Sequence, residues 1–113
     1  MGAPVSDTSV LNYLARLGHF SLLHQQFGHL VVPRAVLAEL DRCPDFPGAG
    51  CVRQALLEGW MELASPKNGA MVALLREELG PGESEALVLA VERSAERILM
   101  DESDGRRRGS WAT

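Results

Sequence analysis

Short apolar runs alternate with segments of helical periodicity along almost the whole chain. The runs that predict strands are APVSD, HLVV, WMELA and RILM. The segments that predict helices are TSVLNYLARL, FSLLHQQF, PRAVLAELD, VRQALLEG, GAMVALLREEL and ESEALVLAVERSA, and CPDFPGAG is interpreted as a loop. Gly18 and Gly28 are placed to end the first two helices, and Pro33 to open the third. Strands that alternate with helices predict an α/β fold whose mainly parallel sheet is covered on both faces.

The composition is that of an ordinary globular protein and indicates one domain, residues 1–113. No apolar run approaches the roughly 20 residues of a membrane span, and the start MGAPVSDTSV lacks the features of a signal peptide. We therefore expect a cytoplasmic protein, in which Cys43 and Cys51 are two unlinked thiols. The net charge of −4 argues against nucleic-acid binding through bulk positive charge, but it permits a carboxylate cluster that binds a metal ion.

Acidic residues follow the first and the last predicted strand. Asp7 ends the first strand, and the run ILMDESDGRRRG places Asp101, Glu102 and Asp104 directly after the last one. In parallel sheets, ligands bind beyond the carboxyl ends of the strands. Asp7 and Asp101 are therefore expected at the same edge of the sheet. A cation held there would offset the repulsion between the carboxylates, whereas a solvated turn would need no ion.

Two helical glutamates are further candidates for this edge. Glu83 stands in the first turn of its helix and heads a stripe that we expect to face the sheet, formed by Ala86, Leu87, Ala90 and Val91. Glu39 borders the packed face of its helix. Each acid also has an ordinary structural interpretation. Asp7 would be an N-cap, Glu83 a first-turn acid and Glu39 a solvated side chain. Glu85 lies on the other side of its helix and is the weaker candidate.

Two blocks of the sequence resemble a known family. The segment VSDTSVLNYLARLGHFSLLHQQFGHLVVPRAVLAEL is similar to the opening of a PIN domain, in which a strand, Asp, Thr-Ser and a helix precede a strand, Pro and a helix that carries Glu. The segment GPGESEALVLAVERSAERILMDESDGRR is similar to the second half of the compact prokaryotic PIN subgroup. There a Gly-Glu-x-Glu-Ala helix leads into an apolar strand that ends in acids. The blocks cover residues 5–40 and 80–108.

The resemblance implies a PIN-like three-layer α/β/α sandwich and a metal-dependent ribonuclease that cleaves single-stranded RNA with Mg²⁺ or Mn²⁺. Many relatives are VapC-like toxins of toxin–antitoxin pairs, so the implied partners are RNA, a cognate antitoxin and a second copy in a homodimer. Carried over by motif position, the catalytic and metal-binding acids are Asp7, Glu39, Glu83 and Asp101. The assisting residues are Thr8, Ser9, Glu102 and Asp104. Arg106 and Arg107 would contact RNA phosphate, or form an exposed basic turn without a role.

The chemistry agrees with the resemblance, because phosphodiester hydrolysis needs an activated water and neutralised phosphate oxygens, which carboxylate-bound Mg²⁺ supplies. The main alternative is a catalytically weak or inactive PIN-like module that binds nucleic acid or protein. An aspartyl phosphatase is disfavoured because Ser9 stands where a second Asp is usual. A receiver domain is disfavoured because the only lysine, Lys67, lies in a predicted loop.

The end of the chain also predicts a property of the sheet. PIN domains usually continue past the Arg-bearing helix into another strand, whereas here the sequence runs RRRGSWAT and stops. We expect the last strand to be missing and the sheet edge at Ile98 to Met100 to be left open. An open edge favours pairing with another chain, so we expect self-association or a partner segment, and activity that is weak or lost.

Overall fold

The computed structural model describes residues 2–43, 45 and 47–100. Four strands and six helices follow one another along this part of the chain. In chain order they are β1 (Val5–Ser6), α1 (Thr8–Leu17), α2 (Ser21–Phe27), β2 (Leu30–Pro33), α3 (Arg34–Asp41), α4 (Gly48–Glu58), β3 (Met61–Ala64), α5 (Gly69–Leu75), α6 (Pro81–Glu92) and β4 (Ile98–Leu99). The predicted α/β class is confirmed. No helix in the described ranges has both the length and the apolar character needed to cross a bilayer.

The four strands form one sheet in the order β3-β2-β1-β4, and every pairing within it is parallel. The short strand β1 lies between β2 and β4, with Val5 opposite both Val31 and Ile98. Since all four strands point the same way, the residues that follow them meet at one edge of the sheet. This arrangement places Asp7, which follows β1, at the carboxyl edge as predicted.

Strand β2 separates two hydrophobic cores, one on each face of the sheet. Leu30 and Val32 belong to the larger core, which the helices α1 to α4 cover. Val31 points to the opposite face and packs with Ala86 and Leu89 of α6. Side chains alternate across a strand, so a run that is buried on both faces must be apolar at every position. The continuous apolar run of β2 thus indicates the three-layer arrangement that the structure has.

Several predicted boundaries and burial patterns differ from those observed; α5 ends earlier and α6 begins two residues earlier than predicted, and three further differences have a clear structural reason. Helix α4 begins at Gly48, inside the segment that the sequence predicts to be a loop. Gly48 is buried, and a Cβ there would lie 2.8 Å from Cδ2 of Leu40 and 3.0 Å from Oδ1 of Asn12. The close packing of α4 on its neighbours therefore requires glycine at this position, although a glycine in the sequence suggests a loop. Pro33 ends β2 rather than opening α3, so that Arg34 is the first helical residue.

The third difference concerns the last strand, which the sequence predicts to be buried, whereas β4 is only half-buried. Within the described residues, β4 pairs with β1 and lies at the edge of the sheet. An edge strand has one neighbour instead of two, which leaves part of its side chains uncovered. The prediction that a further strand is missing concerns residues after Met100 and lies outside the described part of the chain.

Candidate active site

Asp7 connects β1 to α1 and is almost completely buried, with 1% of its surface exposed. Its backbone N–H donates to the carbonyl of Leu99 in β4, at 3.0 Å, and its Oδ1 accepts a hydrogen bond from the N–H of Val10, at 3.1 Å. Asp7 is therefore the N-cap of α1 and also a carboxylate at the carboxyl edge of the sheet. The two interpretations of this residue, cap and site acid, are compatible because they use the same position.

Glu39 joins three helices through one oxygen atom. Its Oε1 accepts a hydrogen bond from Oγ1 of Thr8 in α1, at 2.5 Å, and another from the N–H of Gly82 in α6, at 3.0 Å. Glu39 itself lies on α3 and is half-buried. The interpretation of Glu39 as a solvated side chain is therefore wrong. Both donors come from distant segments, and they hold the carboxylate between helices.

Glu83 lies in the first turn of α6, as predicted, and its Oε2 atom is buried. The stripe argument behind that prediction is wrong in part. Val91 is 81% exposed and, together with Leu87, lines an apolar groove on the side of α6 toward α5. The residues of α6 that pack on the sheet are Ala86 and Leu89, together with the half-buried Ala90, so two of the four predicted stripe residues, Ala86 and Ala90, do face the sheet. Because α6 has neighbours on several sides, its apolar positions divide between the sheet and the groove.

The contacts of Glu39 involve the residues next to two other predicted acids. Thr8 follows Asp7 in the chain and donates to Glu39, and Gly82 precedes Glu83 and donates to the same oxygen. Ser9 follows Thr8 in the first turn of α1 and is half-buried. The remaining predicted site residues, Asp101, Glu102, Asp104, Arg106 and Arg107, lie outside the described residues, so their roles stay predictions.

Helix N-termini supply positive potential to this acidic neighbourhood. Asp7 caps α1, Glu83 lies in the first turn of α6, and Glu39 accepts the N–H of the second residue of α6. The backbone N–H groups at a helix start carry roughly half a positive charge together, which favours a nearby carboxylate. The fold thus stabilises each of these carboxylates through a helix N-terminus.

Glu85, the weaker candidate of the sequence analysis, has a structural role. Its Oε1 accepts a hydrogen bond from the N–H of Ala35, at 3.1 Å, in the first turn of α3. Together with the bond from Gly82 to Glu39, this makes a reciprocal arrangement in which each helix supplies a glutamate to the N-terminus of the other. Pro33 and Gly80 stand at the N-cap positions of α3 and α6, and neither has a side chain that can cap. Both helix starts therefore need acceptors from elsewhere, which the sequence could have indicated.

The donor set suits a hard divalent cation. The side-chain atoms gathered here are carboxylate and hydroxyl oxygens, which Mg²⁺ and Mn²⁺ prefer, and no cysteine or histidine is among them. Among the residues that the structure describes, no three His, Cys, Asp or Glu side chains form a group spaced to hold a metal ion. The chemistry of Asp7, Glu39 and Glu83 fits a metal of this class, with Asp101 as the predicted fourth acid.

A comparison with models of protein families gives a match over nearly the whole chain. The model of the family DUF3368, described as a PIN domain, matches residues 3–111. This range contains both of the sequence blocks described above and all four predicted acids. No curated protein and no solved structure matches the chain significantly.

Proposed function

The chain belongs to the PIN-domain family, and on this premise we propose that it is a Mg²⁺- or Mn²⁺-dependent endoribonuclease that cleaves single-stranded RNA. The family supports a nuclease-type fold and a hydrolase that acts on phosphodiester bonds. The observation that supports the proposal is the network from Thr8 to Glu39 to Gly82, since it links Glu39 to the residues that stand next to Asp7 and Glu83 in the chain.

In the proposed reaction, Asp7, Glu83, Asp101 and Glu39 would supply oxygen ligands to the cation, while Oε1 of Glu39 accepts hydrogen bonds from two protein donors. When bound, the cation neutralises phosphate oxygens and lowers the pKa of a water molecule. The protein holds the acids in place. Asp7 is fixed by its bond to Val10, and Glu39 by Thr8 and Gly82. Such fixed carboxylates need little rearrangement on binding.

The flanking polar residues complete the proposal. Glu102, Asp104 and Ser9 would assist the four acids by hydrogen bonding. Arg106 and Arg107 contact the phosphates of the RNA, which positions the substrate without selecting its sequence.

The biological setting is part of the same proposal. We place the protein in the cytoplasm as the VapC-like toxin of a toxin–antitoxin pair, inhibited by a cognate antitoxin and active as a homodimer. Tyr13 and Leu17 support a second copy as partner, because they lie one turn apart on α1 and are 61% and 52% exposed. Large apolar side chains exposed on one helix face are typical of interaction surfaces.

The function is tested by incubating the protein with a labelled single-stranded RNA in Mn²⁺ or Mg²⁺, with and without EDTA. We expect cleavage that EDTA abolishes and that falls at least a hundredfold in Asp7→Asn. Asparagine caps helices as well as aspartate does, so this variant keeps the fold while removing one charged ligand. Asp41→Asn is the matched control, since Asp41 is exposed and paired with Arg53 away from these acids.

Cleavage that persists in EDTA, or in a folded Asp7→Asn variant, would contradict the proposed mechanism. RNA binding without cleavage under any metal condition would instead support the alternative function, that of an inactive PIN-like binding module.

A further inference from the structure

We infer that Gly82 is a positioning residue of the candidate site, because the absence of a side chain there allows the Glu39 carboxylate to reach both α6 and Thr8. This inference rests on the proposed function for its consequence in metal binding. The position of Glu39 can be tested separately.

The space beside Gly82 is filled by the polar groups of the network. A Cβ placed on Gly82 would overlap Oε1 of Glu39, would lie 2.5 Å from Oγ1 of Thr8 and would lie 3.1 Å from Cγ2 of Val36. By contrast, a Cβ on Gly80 would meet only Oε2 of Glu39, at 3.8 Å, which is an ordinary contact. Of these two glycines at the start of α6, only Gly82 is therefore required for steric reasons.

Backbone conformation gives no reason for glycine at this position. The glycines with positive φ are Gly18, Gly28 and Gly59, whereas Gly82 is the second residue of α6. Within a helix, glycine is less favourable than alanine by about 1 kcal/mol. Gly82 is buried in a helix despite this penalty. The close approach of the Glu39 carboxylate explains why glycine is present there.

The consequence follows from which oxygen is engaged. Oε1 of Glu39 accepts from Thr8 and from the N–H of Gly82. A methyl group on residue 82 would push this oxygen away from both donors, and Oε2 would move with it. Gly82→Ala should therefore weaken cation binding although it removes no proposed ligand. The same substitution should be nearly silent in a chain that lacks the Glu39 side chain, because the Thr8 hydroxyl can then rotate away.

The experiment is a double-mutant cycle with Mn²⁺ as the probe, measured by calorimetry on wild type, Gly82→Ala, Glu39→Ala and the double variant. We expect at least tenfold weaker binding in Gly82→Ala and less than a twofold further change when Gly82→Ala is added to Glu39→Ala. Gly50→Ala is the matched control, because Gly50 is also a helical glycine and a Cβ there meets nothing within 4 Å. It should bind Mn²⁺ within twofold of wild type.

Equal weakening by Gly82→Ala in both backgrounds, or wild-type affinity in Gly82→Ala, would overturn the inference. If Gly82→Ala alone does not fold, the double variant with Glu39→Ala should fold again. Failure to regain the fold would also overturn it, because the overlap would then not involve Glu39.

A measurement without metal separates this inference from the proposed function. In amide hydrogen exchange followed by ¹H–¹⁵N spectra, we expect the amide of residue 82 to be protected in wild type by its hydrogen bond to Glu39, and this protection to be lost in Glu39→Ala and in Gly82→Ala. If the amide of residue 82 keeps its wild-type protection in the Gly82→Ala variant, the methyl group is accommodated and the inference fails. If wild type binds no Mn²⁺ while the amide behaves as expected, the proposed function fails and the positioning of Glu39 stands.

Discussion

Replacement of Glu85 by alanine tests whether this acid stabilises the fold or belongs to the metal site. The substitution removes the acceptor for the N–H of Ala35 at the start of α3, where Pro33 provides no side-chain cap. Ala35 and Glu85 are both half-buried, so water replaces the lost hydrogen bond only in part. An N–H that loses its partner at such a position destabilises the folded state.

The magnitude follows from known cap and hydrogen-bond energies. Removal of a helix cap costs about 0.5–2 kcal/mol, and a hydrogen bond to a charged acceptor contributes about 1.5–3 kcal/mol. Since solvent reaches part of Glu85, we expect Glu85→Ala to lower the free energy of unfolding by about 1–2 kcal/mol. For a chain of this size, that corresponds to a decrease in Tm of roughly 4–10 °C. Glu85→Gln keeps a carbonyl acceptor and should lose about half as much.

The assay is urea unfolding followed by circular dichroism, in parallel with Mn²⁺ calorimetry. Glu77→Ala is the control, because Glu77 is exposed and should change stability by less than about 0.5 kcal/mol. Mn²⁺ affinity should be unchanged in Glu85→Gln. The reasoning is refuted if Glu85→Ala is as stable as the control, or if Glu85→Gln keeps its stability but loses Mn²⁺ binding.

Three further predictions concern the scaffold. The side-chain hydrogen bond from Arg93 holds the pKa of Glu62 below its usual value of 4.5, so this pair stabilises the protein at neutral pH and its contribution is lost as the pH falls below about 4.5. As the pH falls below about 4.5, thermal melts should show a smaller loss of stability in Glu62→Gln than in wild type. The difference should be roughly 0.5 kcal/mol, because the pair is solvent-exposed. Leu30→Ala should cost about 2–5 kcal/mol in urea unfolding with an unchanged slope, because Leu30 is completely buried, and a loss below about 1 kcal/mol would contradict the assigned core. Gly18→Ala should destabilise by about 1 kcal/mol because φ is 76°, whereas Gly50→Ala should not destabilise; equal melting temperatures would contradict this difference.

Local sequence determined the elements and the first acid of the site. The apolar run of β2, the polar residue after β1 and the glycine after α1 each act through their immediate neighbours in the chain. For this reason the strands, most of the helices and the parallel sheet could be predicted. Asp7 could be placed at the carboxyl edge because strand direction alone decides where that edge lies.

Tertiary structure decided which helix faces which neighbour. The periodicity of α6 showed an apolar helix but could not show that Val91 faces outward while Ala86 and Leu89 face the sheet. Likewise, Gly48 begins a helix because α4 packs closely on its neighbours. A hydrophobic pattern predicts that a surface is buried. Which element buries it depends on how all the helices pack in the folded protein.

The roles of the glutamates were decided in the same way. Glu39 meets Gly82, which is 43 residues away, and Glu85 meets Ala35, which is 50 residues away. The sequence could nominate Glu39 and Glu83 from their positions on helices, and it ranked Glu85 lower without revealing its function. A hydrogen bond depends on a few tenths of an ångström between two atoms, and sequence spacing carries no such information for segments that meet only through folding. The sequence by itself therefore determined which acids were available, and the packing of α3 against α6 determined which of them the network holds together.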